Sequence, residues 1–202
     1  LITGSSSGIG RATAIHLARL GYHVFASIRN PTKGSTALIE IANKENLDLQ
    51  VIPLDVTDQD SSEQAVQQVL DSAGRIDVLI NNAGVSGGGP VEELSQEVLR
   101  RTFETNFFGA MRMMQLVLPS MRRARHGAIV NVTSVLARWI PAQGSSYSAS
   151  KAALTAASEA LAQEVRRFNI RVATIEPGCT ATPIFEKEVE GQEQNSDSPY
   201  GE

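Results

Sequence analysis

The sequence has a single cysteine, Cys179, so no internal disulfide can form and no oxidising compartment is implied. Its three histidines, His16, His23 and His126, are scattered, and with one cysteine they offer no metal-ligand spacing; no metal is expected. No apolar run approaches the roughly 20 residues of a membrane-spanning helix, and no secretory signal is visible, so the chain reads as cytoplasmic. Excess positive charge is lacking too. Lys and Arg number 18 against 22 Asp and Glu, a formal charge of -4 that does not favour nucleic acid or anionic membrane. The one basic run, Arg122, Arg123, Arg125 and His126, fits a helix C-terminus, where cations complement the dipole. An initial Met is missing, and a glycine motif follows almost at once. This predicts a piece of a longer protein and leaves an upstream targeting segment open. Finally, no Asp or Glu occurs before Glu40.

What is present is an ordinary globular composition, 42% hydrophobic and 20% charged over 202 residues, enough for one domain. Short Val/Ile/Leu-rich runs at 1–2, 23–28, 49–54, 76–81, 128–133 and 171–175 read as strands covered on both faces. Helical stretches lie between them at 10–20, 36–45, 61–73, 97–124 and 147–168. Asp60 and Glu63 resemble a capping box opening the third helix. This alternation predicts βαβ units and an α/β fold with a doubly wound parallel sheet of the Rossmann type. The domain is expected over residues 1–182. Residues 183–202, acidic and poor in periodic apolar positions, read as a mobile flap or the start of a missing part.

The first strand runs into Thr3-Gly4-Ser5-Ser6-Ser7-Gly8-Ile9-Gly10, and a helix follows. Glycines allow a tight turn and bring backbone N–H groups to a pyrophosphate, and the helix N-terminus adds partial positive charge. The strand–turn–helix context supports a nucleotide site, although Gly4/Gly8/Gly10 differs from the commoner dinucleotide spacing. An NAD site usually carries an acidic residue about 20 positions on, at the end of the second strand. Here Ile28 and Arg29 occupy that place. An arginine pairs with a 2′-phosphate, which a carboxylate would repel, so NADP(H) is expected over NAD(H). The competing reading is a solvated strand-end arginine.

Tyr147 and Lys151 are spaced i, i+4 at the start of a strong helix, on one face and one turn apart. A free phenol, with a pKa of about 10, is a poor base at neutral pH. A nearby ammonium lowers that pKa, which makes the pair a plausible general acid/base. Ser134 follows the strand at 128–133, where ligands bind in open α/β sheets. Its competing reading is a strand-end cap.

Together these residues resemble the short-chain dehydrogenase/reductase family over nearly the whole chain. The glycine motif, Asn81-Asn82-Ala83-Gly84 after the fourth strand, Asn106, Ser134 thirteen residues before Tyr147, Pro177-Gly178 after the sixth strand and Thr182 all fall in family order. The resemblance implies an oxidoreductase that interconverts a hydroxyl and a carbonyl on a small-molecule substrate. It implies that Tyr147 exchanges a proton with the substrate oxygen, that Lys151 lowers the tyrosine pKa and binds the nicotinamide ribose, and that Ser134 orients the substrate. Asn106 would hold a water in a proton relay. Gly4, Ser6, Gly8, Ile9 and Gly10 would cradle the cofactor. Asp55 and Val56 would meet the adenine, with Asn82, Ala83 and Gly84 against the adenosine side. Pro177, Gly178, Thr180 and Thr182 would line the nicotinamide. Three competing readings stay open: Asp55 as a turn former, Asn106 as a buried hydrogen-bonding residue, and Gly84 as a helix-entry turn.

Family members are typically longer at the C-terminus and often associate through their long helices, so a homo-oligomer through 97–124 and 147–168 is expected, with a face buried within one subunit as the competing reading of their Ala, Met and Leu. The small residues of 85–90 read as a flexible loop that leaves room near the nicotinamide. Leu136, Arg138, Trp139 and Ile140 read as substrate borders and suggest a hydrophobic ketone or alcohol, with Trp139 as plain packing the alternative. Phe25-Ala26-Ser27-Ile28-Arg29 and Ile175-Glu176-Pro177-Gly178 resemble the steroid- and retinoid-type branch. The runner-up function is a non-catalytic NADP(H)-sensing protein on the same fold, which would need no Tyr/Lys/Ser set. Epimerases and dehydratases of this fold tend to carry a separate substrate lobe, which this chain does not supply.

Overall fold

The computed structural model describes residues 1–185 and 198–200. Ile2, in the expected first strand, makes parallel bridges to both Ala26 and Ile80. On one side of it lie β1 (Val24–Ile28) and β2 (Leu49–Pro53); on the other lie β3 (Val78–Asn81), β4 (Gly127–Val132) and β5 (Ile170–Ile175). Every pairing is parallel. Hydrogen bonds from Ile2 N to Phe25 O (2.9 Å) and from Ile80 N to Leu1 O (2.8 Å) join the two ladders into one sheet through this stub. The resulting order, β2-β1-stub-β3-β4-β5, is doubly wound. In such a sheet the ligand crevice opens at the carboxyl ends of the strands, beside the strand where the order reverses.

The helices are α1 (Gly8–Arg19), α2 (Pro31–Gly34), α3 (Thr36–Glu45), α4 (Gln59–Ala73), α5 (Gln96–Phe103), α6 (Gly109–Ala124) and α7 (Ser145–Val165). They cover both faces of the sheet. Leu79 and Ile129 pack with Met113 and Val117 of α6 and Leu154 of α7. Ile80 and Val132 pack instead with Ala14 and Ala18 of α1 and Leu38 of α3. Successive strand residues point to opposite faces, so a strand buried on both sides reads as a continuous apolar run.

Three expectations need correction. The helix expected over 97–124 is divided by a π turn, Glu104–Phe108, between α5 and α6; hydrophobic periodicity does not reveal one extra residue in a turn. The cap of α4 is Asp58, whose side chain accepts from Ser61 N at 2.6 Å, and not Asp60, because the helix starts two residues earlier than expected. The one-turn helix α2 was not foreseen. Arg122 and Arg123 do occupy the last turn of α6. Of the expected flap, Pro183–Phe185 forms a 3₁₀ turn, and residues 186–197 and 201–202 lie outside the described residues. Residues 198–200 rest against a neighbouring loop: Ser198 Oγ donates to Glu93 at 2.9 Å and Tyr200 OH to Glu92. Among the described residues no helix is long and apolar enough to cross a membrane.

Candidate active site

The glycine turn is held from beneath by the strand beside it. Thr3, 1% exposed, accepts at Oγ1 from the main-chain N–H groups of both Asn82 and Ala83, each at 2.9 Å. Asn82 returns the contact, donating from Nδ2 to Thr3 O at 2.9 Å and Gly4 O at 3.1 Å. Two glycines are sterically required. Gly4 has φ +70°, and a Cβ there would lie 2.8 Å from Ala83 Cα; at Gly10 it would lie 2.4 Å from Asn82 Nδ2. The first turn of α1 carries no acidic residue, and Ser7 at its N-cap supplies no side-chain capping bond. The helix therefore presents its opening N–H groups toward the turn.

Above the turn lies a cavity of about 310 Å³, within the range of ligand sites, about 300–1,000 Å³. Gly4, Ser6, Gly8, Ile9, Arg29, Asp55, Val56, Asn82, Ala83 and Gly84 line it, as do Pro177, Gly178, Thr180 and Thr182. Gly10 does not; it supports the turn from below. Arg29 is exposed just past β1, and no ion pair engages it among the described residues. Asp55 is partly the turn former considered above, since Oδ1 accepts from Thr57 N at 2.9 Å and Thr57 Oγ1 at 2.7 Å. Gly84 is not a helix-entry turn, because the next helix, α5, begins only at Gln96. A Cβ there would meet Asn106 Oδ1 at 3.3 Å and Lys151 Nζ at 3.4 Å.

Ser134, Tyr147 and Lys151 line the same cavity. Ser134 caps a 3₁₀ turn, Val135–Ala137, and accepts from Leu136 N at 3.1 Å. Its side chain is also hydrogen-bonded to the Tyr147 hydroxyl. The strand-end cap reading of Ser134 is thus met, and the same hydroxyl sits beside Tyr147. Lys151, 2% exposed, donates from Nζ to Val132 O at 2.9 Å. Burial pulls its ammonium down to about 8. The phenol of Tyr147 is pushed up by burial, with the Ser134 hydrogen bond a smaller opposing effect. Lys151 is not among the causes of this shift. The ammonium is turned to Val132 O, 5.9 Å from the ring centre, and desolvation dominates.

Asn106 is the buried hydrogen-bonding residue of the competing reading. It lies in the π turn, 1% exposed, accepts from Val85 N at 2.8 Å, and donates to Val85 O at 2.9 Å and Ser150 Oγ at 3.0 Å. Ser150 in turn donates to Tyr147 O at 2.7 Å. The carboxamide therefore spends both N–H donors and one acceptor position in tying the loop after β3 to α7.

Of the expected substrate borders, Leu136 and Trp139 line the cavity. Trp139 is 69% exposed, which excludes plain packing. Arg138 does not line the cavity; it grips Glu176 with both contacts at 2.9 Å, joining the segment after β4 to the one after β5. Loop 85–90 is not slack. Gly87 O accepts from Ser146 Oγ at 2.6 Å, Gly89 N donates to Gln143 O at 2.8 Å, and a Cβ at Gly87 would lie 2.2 Å from Thr102 Oγ1. Gly87 and Gly88 serve close packing, whereas Gly89 serves a backbone at φ +137°. Sequence reasoning missed Val85, Val132 and Ser150. The first two act through main-chain atoms, which leave no residue-type signal; Ser150 lies between Tyr147 and Lys151 and was the one that could have been noticed.

Residues 1–193 match the family model described as short chain dehydrogenase. The chain is 43% identical over 180 residues to a 3-ketodihydrosphingosine reductase of Bacteroides thetaiotaomicron, covering 88% of this chain and 62% of that protein. It is 42% identical over 195 residues to retinol dehydrogenase 8 of Bos taurus, covering 94% of this chain and 61% of that protein. The chain thus spans about three fifths of the length of these two relatives. Among solved structures it resembles an alcohol dehydrogenase from Thermococcus sibiricus, complexed with 5-hydroxy-NADP, with a TM-score of 0.83 and 29% identity, covering 90% of this chain and 76% of that one.

Proposed function

The chain belongs to the short-chain dehydrogenase family, and from that premise we propose that it is an oxidoreductase transferring hydride between NADP(H) and a hydroxyl or carbonyl group of an apolar small molecule. The observation that carries this reading is the meeting of Ser134, Tyr147 and Lys151 with the glycine turn on one cavity. The turn suits a dinucleotide: its glycines leave backbone where side chains would clash, and the uncapped, acid-free start of α1 attracts an anion. The dinucleotide, when bound, supplies or takes up the hydride. Arg29, on the cavity wall and with no ion pair among the described residues, supports a 2′-phosphate and hence NADP(H) over NAD(H).

Within this reading Tyr147 hands a proton to the substrate oxygen in reduction and takes it back in oxidation. A phenol held up by burial stays protonated at neutral pH and so has a proton to give, and Ser134, bonded to it, steadies the same oxygen. Lys151, with a pKa of about 8, can exchange protons near neutral pH and replenish the site. Asn106 contributes by fixing the loop beside Gly84 and the helix below Tyr147. Leu136 and the exposed face of Trp139 offer an apolar wall for the rest of the substrate. Phe108, 49% exposed where the π turn meets α6, supports a homo-oligomer, which light scattering would check.

The test is NADPH oxidation, followed by absorbance, on addition of a panel of apolar ketones and aldehydes to the full protein beside Tyr147→Phe. Turnover by wild type and not by the variant is expected. Dinucleotide binding without turnover on any carbonyl or alcohol would favour a sensor on the same fold.

A further inference from the structure

Arg112, in the first turn of α6, points its guanidinium into a junction of three elements. Its Nε donates to Gln59 Oε1 at 2.9 Å, in the first turn of α4. Its Nη1 donates to Val56 O, in the loop after β2. Its Nη2 donates to Glu104 Oε1 at 2.9 Å, at the start of the π turn. The side chain is 18% exposed, against 53%, 68% and 64% for the ion-paired Arg19, Arg75 and Arg138. Those exposed pairs are solvated and contribute little. Arg112 differs in burial, in spanning three elements and in bonding a main-chain carbonyl.

Both things it joins bear on the cavity. Val56 lines one wall, beside Asp55, and Thr105 of the π turn lines another. Asn106 is the next residue of that turn. The start of α6 packs closely on the Val56 segment, since a Cβ at Gly109 would lie 2.8 Å from Val56 Cγ2. A π turn is an uncommon conformation that needs support. Asn106 anchors it on one side through Val85 and Ser150, and Glu104 is anchored on the other by Arg112.

We propose that Arg112 is a positioning residue: one planar guanidinium sets the cofactor wall at Val56 and the π turn that places Asn106 against each other. A rigid fork can fix three acceptors at once, whereas a point charge on a flexible stem cannot. The inference rests on the reading of the cavity as a dinucleotide site.

The experiment compares wild type, R112Q, R112K, N106A and R112Q/N106A for NADPH binding by fluorescence, kcat per folded molecule, and thermal midpoint. R112Q is expected to weaken NADPH binding and to lower kcat by about tenfold each, the scale of a small misplacement in a site. R112K is expected not to restore either. The kcat loss of R112Q is expected to shrink in the N106A background, because both substitutions act through one turn. Unchanged binding and kcat in R112Q, full recovery in R112K, or kcat losses that multiply independently would each overturn the inference while leaving the cofactor reading intact. A wild type that binds neither NADPH nor NADH overturns the cofactor reading, and this inference with it.

Discussion

Lys151 Nζ donates to the main-chain oxygen of Val132 at 2.9 Å and stands 5.9 Å from the centre of the Tyr147 ring. The ammonium is thus buried against one carbonyl with no carboxylate among the causes of its shift, which is why its pKa falls to about 8. A lowered lysine pKa means that the unfolded chain holds the extra proton between about pH 8 and the ordinary value of about 10.4, so stability rises with pH across that window. Below pH 8 the charge is buried in the folded state at a cost. Lys151→Met should therefore abolish turnover yet stabilise the protein at pH 7 by roughly 1–3 kcal/mol, the loss of the Val132 hydrogen bond being the main offset. Urea unfolding at pH 7 and pH 10 tests this: the advantage should narrow as pH rises. An advantage that widens with pH would sink the argument.

Arg29 makes the cofactor preference testable in isolation. Arg29→Ala should weaken NADPH binding by about 10- to 100-fold, the scale of a charge-assisted pair, and change NADH affinity by no more than about threefold. Fluorescence titration with both dinucleotides gives the answer. Equal losses for the two would mean that Arg29 supports the wall in general and does not read the 2′-phosphate.

Ser134 and Tyr147 yield a signed prediction about pH. Burial raises the phenol pKa and the Ser134 hydrogen bond lowers it. Ser134→Ala removes only the lowering effect, so the phenol should titrate still higher. Alcohol oxidation, which needs the phenolate to accept a proton, should have its rising limb displaced to higher pH, with kcat lowered by about 10²-fold or more. A pH–rate profile for NADP-linked oxidation measures both. A limb that stays in place would mean that Tyr147 is not the titrating group.

Much of this was legible in the sequence because it is carried by side-chain type at fixed spacing. The apolar runs gave the strands, and α3 begins and ends where periodicity places it, at Thr36 and Glu45. Tyr147 and Lys151 reach one cavity because four residues make about one helical turn. The absence of an acidic residue before Glu40 drew attention to Arg29. What stayed hidden is main-chain chemistry. Nothing in the letters says that Lys151 turns to Val132 O, that Asn106 clasps both polar groups of Val85, or that an extra residue enters the helix at Glu104–Phe108. Gly87 and Gly88 misled for a related reason: glycine signals slack and close approach alike, and only the neighbours Thr102, Ser146 and Gln143 show that approach is the reason here.

Gly10 separates those two meanings most sharply. A methyl group there would lie 2.4 Å from Asn82 Nδ2 and 2.5 Å from Gly4 O, both firmly held: Asn82 is bonded to Thr3 O and Gly4 O, and Gly4 is itself at positive φ. Neither can retreat without opening the turn, so Gly10→Ala should cost about 2–4 kcal/mol, as overpacking against fixed backbone does. NADPH binding should fall with it, because the displaced carbonyl belongs to the cradle. Gly178 provides the contrast. A Cβ there meets nothing within 4 Å, so Gly178→Ala should change stability by no more than about 0.5 kcal/mol. Thermal melts of the two variants, each with and without NADPH, check the pair. Similar melting temperatures for both would mean that the turn has more give than the Asn82 contacts imply, and the steric case for a fixed dinucleotide cradle would fail.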